Sequence, residues 1–396
     1  MRICIYTETA LPMLGGHEIV VDSLARQYLA AGHQTVVLAP TPRSAWRKAG
    51  WRDADQLFPY PMERHPRFIS TRRLIGLYGH WLKRVQKTYA FDVLHCQSTY
   101  PTGYLGTRLA RGFGIPVAIT AHGADVTPTS SKLSEDRVRR RHVEAILNAD
   151  ARIAISDFIA DSYRRIVPDC DVVRIPNGVD TAEFFRVASR PDGLQAGIQP
   201  GRYVLFLGRL ARRKGVDLLI DALARIPREE RPLLVIAGEG EERPALERSV
   251  AEFGLRDSIL FVGAAEGSRK IYLLQNSLVN VLPSRQWEGF PLVVLESFAA
   301  GRPLIAARVP GLATAVRHGE TGWVVEPESP KALAEAIRVA LADAPLRERL
   351  GRQARAQAEN YDWKIIARSY LELFERLVAE KKQGRTSETG RPDETL

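Results

Sequence analysis

The sequence predicts an α/β protein made of two doubly wound domains, each with a parallel sheet covered by helices on both faces. Short, nearly continuous apolar runs alternate with longer amphipathic runs, which is typical of parallel strands buried on both sides. This alternation occurs in two series, and a segment rich in turn residues (177–202) separates them. The length of 396 residues also exceeds what one compact core usually holds. A cleft is therefore expected between two such domains.

Each series supplies the strands of one domain. Helices are predicted between the strands, among them 17–31, 215–226, 242–253, 291–300 and 330–342. The polar segment 383–396 is predicted to be a disordered tail. The predicted strands are 2–7, 34–40, 92–97, 116–122, 151–156 and 171–176 in the first series, and 203–208, 232–238, 258–263, 278–284, 303–307 and 322–327 in the second.

Composition indicates a soluble globular protein, with 45% hydrophobic and 26% charged residues. The N-terminal run RICIYTE lacks the apolar core of a secretory signal, and no run approaches the ~18 apolar residues of a membrane span. Cys4, Cys96 and Cys170 show neither zinc-site spacing nor a disulfide pattern. A cytoplasmic protein is therefore expected.

Two loops carry the signals of an anion site. Gly15-Gly16 follows the first strand and precedes a helix, so backbone amides at the helix start could meet an anion. A plain tight turn is an open alternative. In FLGRLARRKG, a strand ends at Gly208, and Arg209 and Lys214 follow on the loop. Two such cations suit a diphosphate, although a solvated basic loop also fits the pattern.

A pair of glutamates brackets the segment EGFPLVVLE. Glu288 lies on a loop after a predicted strand, and Pro291 suits the first turn of a helix that ends at Gly301. Glu296 lies inside that helix among apolar residues, where a carboxylate needs a partner such as sugar hydroxyls or a core arginine. Open α/β sheets bind ligands where such helices begin.

His122 follows a predicted strand in the first domain, next to Gly123. Its position at the carboxyl edge of the sheet favours a functional role, and a satisfied histidine at a strand end is the alternative.

Together these segments resemble the family 4 retaining glycosyltransferases, which have the GT-B fold of two facing Rossmann-like domains. The resemblance covers nearly the whole chain and depends on the order and spacing of its motifs. These are LGGHEIVVDSLARQYLAAGHQTVVLAP, AHGAD, RIPNGVD, FLGRLARRKGVDLLI, the two glutamates separated by seven residues, and GETGWVVEP. It implies an acceptor-side domain at 1–180, completed by a C-terminal helix at 363–382, and a nucleotide-sugar domain at 181–362.

The resemblance also implies roles for individual residues. Arg209 and Lys214 would neutralise the diphosphate leaving group, and His122 would contact the donor sugar. Glu288 would hold donor-sugar hydroxyls and Glu296 the ribose hydroxyls. The catalytic residues implied are His122, Arg209, Lys214 and Glu288. The donor-binding residues implied are Gly15, Gly16, Gly208, Arg209, Lys214, Glu266, Glu288, Gly289, Phe290, Leu292 and Glu296.

The activity expected from this resemblance is transfer of a hexosyl unit from a nucleotide-diphospho-sugar to a hydroxyl of a glycan or lipid-linked acceptor. A UDP-sugar is favoured, GDP-mannose is the second candidate, and family habit indicates cell-envelope or exopolysaccharide synthesis. A same-face displacement is favoured over a covalent intermediate on Glu288. Two alternatives stay open, namely a nucleotide-sugar epimerase or hydrolase and a non-catalytic sugar-nucleotide-binding protein.

No cofactor or metal is expected. Asp53-Ala54-Asp55 and Asp169-Cys170-Asp171 match the Asp-x-Asp metal signature of the other large glycosyltransferase fold, but so short a pattern recurs by chance. The cations of the basic loop would already balance the charge of a diphosphate.

The net charge of +10 is concentrated in part on two segments of the first domain. A helix over 72–89 would present five cations within an arc of about 120° and apolar residues opposite. A contact with anionic lipid is predicted, with a core-packed helix bearing a solvated basic face as the alternative. Nucleic acid is not an expected partner, because no binding module is recognisable. The five cations are Arg72, Arg73, Lys83, Arg84 and Lys87, and the second cluster is Arg137, Arg139, Arg140 and Arg141.

Overall fold

The computed structural model describes residues 1–12, 15–41, 55–66, 75–127, 133 and 135–389. The chain forms two compact units. Unit 1 comprises Met1–Asn177 and Trp363–Leu396, and unit 2 comprises Gly178–Asp362. The first boundary thus falls after Asn177, where the sequence placed it after Asp180, and the second falls after Asp362.

Unit 1 is built on a parallel sheet, which has seven strands within the described residues. The spatial order is β3-β2-β1-β4-β5-β6-β7. The chain begins with β1 inside the sheet, adds β2 and β3 on one side of it, and then crosses over to add β4 to β7 on the other side. This is the doubly wound order of Rossmann-like domains, extended by one strand. The strands are β1 (Arg2–Tyr6), β2 (Gln34–Pro40), β3 (Met62–His65), β4 (Val93–Cys96), β5 (Val117–Ala121), β6 (Ala151–Ala154) and β7 (Val173–Arg174).

The helices of unit 1 cover this sheet and include the end of the chain. The C-terminal helix, Trp363–Thr389, packs against α1, where the Tyr28 ring meets the rings of Tyr370 and Phe374 at centroid distances of 6.5 and 6.0 Å. The chain therefore returns to unit 1 after completing unit 2. The other helices of this unit are α1 (Gly16–Ala30), α2 (Ile75–Tyr89), α3 (Tyr104–Ala110), α4 (Asp136–Asn148) and α5 (Asp157–Ile166).

Unit 2 repeats the same plan with six parallel strands in the order β10-β9-β8-β11-β12-β13. Alternate residues of β8 enter different apolar clusters, Leu205 on one face and Val204 and Phe206 on the other. Both faces of the sheet are therefore buried, as parallel sheets require. The strands are β8 (Tyr203–Leu207), β9 (Leu233–Ala237), β10 (Ile259–Gly263), β11 (Val279–Leu282), β12 (Leu304–Ala307) and β13 (Gly322–Val325).

Seven helices accompany the sheet of unit 2. Asp180 caps the first, because its side chain accepts a hydrogen bond from the Glu183 amide. The start of α11 is typical of helices, because the Ser329 hydroxyl caps it and Pro330 lies in its first turn. The helices are α6 (Thr181–Phe185), α7 (Val216–Ala224), α8 (Arg243–Glu252), α9 (Gly267–Asn276), α10 (Leu292–Ala299), α11 (Pro330–Ala342) and α12 (Ala344–Glu359).

The structure adds two features to the predicted elements. The strand β3 was not predicted, because its sequence MERH is polar and it lies at the edge of the sheet. The C-terminal helix extends to Thr389, into the segment 383–396 predicted as a tail, and 390–396 lie outside the described residues. Among the described residues, no helix is long and apolar enough to cross a membrane.

Candidate active site

Two loops of unit 2 leave neighbouring strands at the carboxyl edge of the sheet. One follows β8 and contains a single helical turn, Arg212–Lys214, and the other follows β11. Gly215 ends the turn with a φ of +67°, and a Cβ atom there would lie 2.1 Å from the carbonyl oxygen of Pro283. The Arg285 amide donates to the Arg213 carbonyl at 2.9 Å. The two loops are therefore joined backbone to backbone, which only glycine at position 215 permits.

The junction brings together the predicted residues Lys214 and Glu288. The Lys214 Nζ atom donates to Glu288 Oε1 at 2.7 Å, and the Ser284 hydroxyl donates to the same oxygen at 2.7 Å. Arg213 Nη1 lies 3.4 Å from Oε2. Glu288 is only 5% exposed, so both carboxylate oxygens are held by donors inside a nearly dry site.

These contacts and their burial shift the pKa values of Glu288 and Lys214. Burial raises the pKa of Glu288, but the charges of Lys214 and Arg213 and the hydrogen bonds from Lys214 and Ser284 outweigh it, so the pKa lies below its usual value. Burial lowers the pKa of Lys214, and the neighbouring Arg213 adds to this effect against the opposing charge of Glu288. Near neutral pH the carboxylate is ionised and fixed by cations, which makes it a weak base and a weak nucleophile.

The segment after Glu288 leads directly into α10. Pro291 is the N-cap, so Gly289 and Phe290 form the approach to the helix and Leu292 is its first residue. The amides of the first turn have no partner within a helix and carry its positive dipole end. Position 311 also shapes this loop, because a Cβ atom on Gly311 would lie 1.7 Å from the Glu288 carbonyl oxygen.

Glu296 lies in α10 and is 8% exposed. Its partner is neither a core arginine nor one of the predicted site residues, but Lys270 of α9, whose Nζ atom donates to Glu296 Oε1 at 2.5 Å. Glu266 is the N-cap of α9 and its side chain is exposed. Helix α9 therefore links these two predicted residues, because it begins after Glu266 and carries the Lys270 that pairs with Glu296.

The loop after β8 contributes the remaining predicted residues of unit 2. Gly208 has a φ of +156°. A Cβ atom on Gly238 would lie 1.8 Å from the Gly208 carbonyl oxygen, so the loops after β8 and β9 touch. Arg209 is exposed, and its guanidinium has no side-chain partner among the described residues. It is thus a cation available at this edge of the sheet.

The predicted residues of unit 1 form a second group. Gly15 is the N-cap of α1 and Gly16 its first residue. The next residue, His17, places its ring 4.6 Å from the His122 ring, edge to face. The structure thus brings the Gly15-Gly16 loop and His122 together at the carboxyl edge of the sheet of unit 1.

A buried polar chain orients His122. Its Nε2 atom donates to the Gln97 side-chain carbonyl at 2.8 Å, which fixes the proton on Nε2. The Gln97 amide contacts His95, and His95 Nε2 lies 2.8 Å from the Thr120 hydroxyl. The Asp125 carboxylate accepts from the His122 amide at 3.3 Å. The backbone and the ring of His122 are therefore both fixed.

Unit 1 is expected to lose stability in mild acid. Burial lowers the pKa of His95 to about 3 and that of His65 to about 4, and burial with the charges of His17 and His95 places the pKa of His122 well below its usual value. In the unfolded chain each titrates near ~6.5. The unfolded state therefore takes up more protons as the pH falls below 6.5, which costs about 2 kcal/mol for each of His95 and His65 by pH 5. His122 adds to this loss in the same direction.

Thermal unfolding at pH 7 and pH 5, followed by hydrogen exchange to assign each transition, checks this expectation. Unit 2 is the internal control, because His318 is its only histidine. An equal loss in both units would contradict the assignment of the acid sensitivity to the buried histidines.

The basic clusters of unit 1 are only partly as predicted. Lys83, Arg84 and Lys87 are exposed on α2, whereas Arg72 and Arg73 lie outside the described residues. Arg141 is not part of a surface cluster. It is 7% exposed, and its Nη1 atom donates to the Tyr100 hydroxyl at 3.0 Å, because the helical period of α4 turns it toward α3.

Three comparisons with known proteins bear on this geometry. The family profile described as "Glycosyl transferases group 1" matches residues 195–357, and that of "Glycosyltransferase Family 4" matches residues 14–183. The D-inositol 3-phosphate glycosyltransferase of Jonesia denitrificans is 30% identical over 398 residues, which cover 91% of each chain. This chain is a family 4 glycosyltransferase.

Other relatives agree with this membership. The phosphatidyl-myo-inositol mannosyltransferase of Mycobacterium tuberculosis (strain H37Rv) is 29% identical to this glycosyltransferase over 391 residues, 96% of this chain and 97% of the relative. The crystal structure of Anabaena Alr3699/HepE in complex with UDP has a TM-score of 0.78 at 21% identity, covering 95% of this chain and 100% of that one. The predicted GT-B class, with two Rossmann-like domains, is confirmed.

Sequence reasoning missed several residues of this glycosyltransferase. Ser284 and Arg213 stood beside predicted residues, but only the fold shows that both reach Glu288. Lys270 gave no signal, because it is separated from Glu296 by 26 positions. Asp169 has a φ of +59°, so the Asp-x-Asp match there is a turn, and Asp53 lies outside the described residues. Among the described residues, no cluster of three or more histidines, cysteines or acidic side chains could hold a metal ion.

Proposed function

We propose that this glycosyltransferase moves a hexosyl unit from a nucleotide-diphospho-sugar to a hydroxyl of a glycan or lipid-linked acceptor, with retention of the anomeric configuration. The observation that carries the proposal is the cluster of Lys214 and Arg213 around the buried Glu288, beside the start of α10. Cations and helix amides suit a diphosphate, and a buried carboxylate suits sugar hydroxyls. A UDP-sugar is favoured, in line with the UDP complex of the Anabaena protein, and GDP-mannose is the second candidate.

In this proposal the bond between the anomeric carbon and the phosphate oxygen breaks, and the electron pair goes to the phosphate. The acceptor hydroxyl attacks the anomeric carbon on the same face, and its proton passes to the departing phosphate oxygen. Lys214, Arg209 and the α10 amides stabilise the negative charge that develops. No metal is needed, because these groups supply the positive charge.

The contacts of Glu288 support its role in orienting the sugar. Both of its oxygens accept hydrogen bonds from Lys214, Arg213 or Ser284, and its pKa lies below the usual value. Such a carboxylate is a poor covalent nucleophile. A same-face displacement therefore fits the contacts better than a glycosyl-enzyme intermediate on Glu288.

Incubation with UDP- and GDP-sugars and a panel of glycan and lipid-linked acceptors tests the proposal, with product configuration read by NMR. Retained configuration, acceptor-dependent turnover and full activity in a chelator are expected. Release or inversion of the sugar without any acceptor would instead support an epimerase or hydrolase. Binding without turnover on every acceptor class would support a non-catalytic protein.

Glu296 is proposed to hold the ribose hydroxyls of the donor. The control is 2′-deoxy-UDP, a ligand that lacks one of these hydroxyls. The Glu296→Gln variant keeps the shape of the side chain but loses its charge. The wild type is expected to bind UDP about 10-fold or more tightly than 2′-deoxy-UDP, because hydrogen bonds to charged groups are strong, and the variant should lose most of this difference. Calorimetry measures all four affinities. Equal discrimination in both proteins would remove Glu296 from the ribose site.

Association with anionic lipid is proposed through unit 1. Lys83, Arg84 and Lys87 are exposed on α2, while Leu82 and Val85 of the same helix are buried in the unit. Helix α2 packs on α3, and α3 packs on α4. Three further arginines are exposed on α4, namely Arg137, Arg139 and Arg140. Exposed cations on neighbouring helices suit an anionic membrane face, where a lipid-linked acceptor would reside.

Sedimentation with vesicles containing anionic lipid, and with neutral vesicles, tests this association. The triple variant Lys83→Ser/Arg84→Ser/Lys87→Ser is expected to lose roughly 3 kcal/mol of binding to anionic vesicles, about 1 kcal/mol for each cation. Removing three exposed cations of unit 2 (Arg248, Arg256 and Lys331) is the matched control. An equal loss in both variants, or no preference for anionic vesicles, would contradict the proposal.

A further inference from the structure

Arg285 forms an unusually complete set of contacts beside the candidate site. Its Nη1 and Nη2 atoms donate to the two carboxylate oxygens of Asp217 at 2.5 and 2.7 Å, and its Nε atom donates to Glu328 at 3.0 Å. Nη1 also donates to the Arg212 carbonyl at 3.2 Å. The Arg285 amide donates to the Arg213 carbonyl at 2.9 Å. One residue of the loop after β11 therefore holds two carbonyls of the turn after β8.

The charge of Arg285 is already matched within the protein. Two carboxylates, those of Asp217 and Glu328, accept its hydrogen bonds, and its side chain is only 15% exposed. A guanidinium in a bidentate pair has a fixed plane and position. Arg285 is therefore suited to fix its neighbours and not to receive an incoming phosphate.

The residues that Arg285 holds lie next to the cations of the site. The Arg212–Lys214 turn carries Lys214, whose ammonium is 2.7 Å from Glu288. Glu288 itself lies three positions after Arg285 on the same loop. Movement of the turn relative to that loop would change the distance between the ammonium and the carboxylate.

We propose that Arg285 is a positioning residue for the diphosphate, acting through the backbone of the Arg212–Lys214 turn to hold the Lys214 ammonium in place before the donor binds. The inference rests on the proposed function, because it takes Lys214 to bind the diphosphate. A misplacement of about 1 Å in a positioned group can reduce the rate by up to ~100-fold, and loss of a hydrogen bond to a charged group weakens binding by about 10- to 100-fold.

Ligand binding to Arg285→Met and Arg285→Lys tests this inference. UDP and GDP are titrated by calorimetry, and uridine and guanosine by ligand-observed NMR. The methionine variant is expected to bind the preferred diphosphate about 10- to 100-fold more weakly, with nucleoside affinity within about twofold of wild type. The lysine variant should regain part of this loss, because an ammonium still pairs with Asp217 but lacks the fork of donors.

Two further variants keep the outcomes distinct. Arg338→Met removes an exposed ion pair with Glu230 (2.8 Å) in the same unit and should change neither affinity. Asp217→Asn weakens the same contact and should show the same selective loss. It replaces Arg285→Met as the test if that variant does not fold. Diphosphate binding within twofold of wild type in folded Arg285→Met and Asp217→Asn, or an equal loss of nucleoside binding, would overturn the inference. A wild type that binds neither diphosphate would instead overturn the proposed function.

Discussion

Replacing Lys214 with methionine is expected to lower kcat/KM for sugar transfer by about 100- to 1,000-fold, with little change in the KM for the acceptor. The methionine keeps much of the volume of the side chain but removes the ammonium that lies 2.7 Å from Glu288. The departing diphosphate then loses a buried cation in the transition state. Steady-state kinetics with each substrate varied in turn measure the effect.

The same substitution is also expected to destabilise unit 2, because it leaves Glu288 buried with a weaker set of partners, Arg213 at 3.4 Å and Ser284. Uncompensated buried charge costs on the order of 3 kcal/mol. The double variant Lys214→Met/Glu288→Gln removes both charges, so it should recover most of the stability and none of the activity. Denaturant titrations of the variants separate the two effects.

A matched control is Arg225→Met, which removes an exposed ion pair with Asp221 on α7. This variant should retain wild-type activity and lose less than about 1 kcal/mol of stability. Wild-type turnover in Lys214→Met, or restored turnover in the double variant, would refute the assignment of Lys214 to the diphosphate.

The Gly215→Ala substitution is expected to reduce both stability and activity. Position 215 has a φ of +67°, and the added Cβ atom would lie 2.1 Å from the Pro283 carbonyl oxygen, so the two loops must separate. We expect a loss of about 3 kcal/mol or more in the free energy of unfolding. Displacement of the adjacent Lys214 should lower kcat/KM by about 100-fold.

Gly201 offers an exact comparison of backbone conformation in the same unit. It also has a φ of +67°, but nothing lies within 4 Å of its Cβ position. Gly201→Ala should therefore cost only the left-handed conformation, about 1–2 kcal/mol, with unchanged kinetics. Equal effects of the two substitutions on stability and on rate would show that the contact with Pro283 does not hold the site.

Much of the fold could be predicted, because the apolar runs that form buried parallel strands are visible in the sequence. Helix α11 was predicted at its observed limits, 330–342, since Ser329 and Pro330 mark its start. The strand β3 could not be found in this way, because the edge of a sheet does not require apolar residues. Arg141 was misplaced because its neighbours in the sequence are exposed while helical periodicity turns it inward.

The site could be predicted only in part for a related reason. Lys214, Glu288 and Glu296 were predicted as site residues from motifs, each of which is local in the sequence. Their partners depend on which strands are neighbours. Lys214 meets Glu288 across 74 positions because β8 and β11 are adjacent in the sheet, and Arg285 reaches Asp217 across 68 positions for the same reason. Such contacts follow from strand order, which no short motif encodes.

The carboxylate of Glu288 has a consequence for selectivity among anions in the cell. It already pairs with Lys214 and Arg213, so free orthophosphate or pyrophosphate would have to approach a buried negative charge to reach these two cations and would gain little. A nucleotide sugar differs, because in the proposed mechanism its hydroxyls satisfy the carboxylate while its phosphates meet the cations. In the proposed mechanism the ion pair would therefore weaken the binding of inorganic phosphate relative to that of a nucleotide sugar.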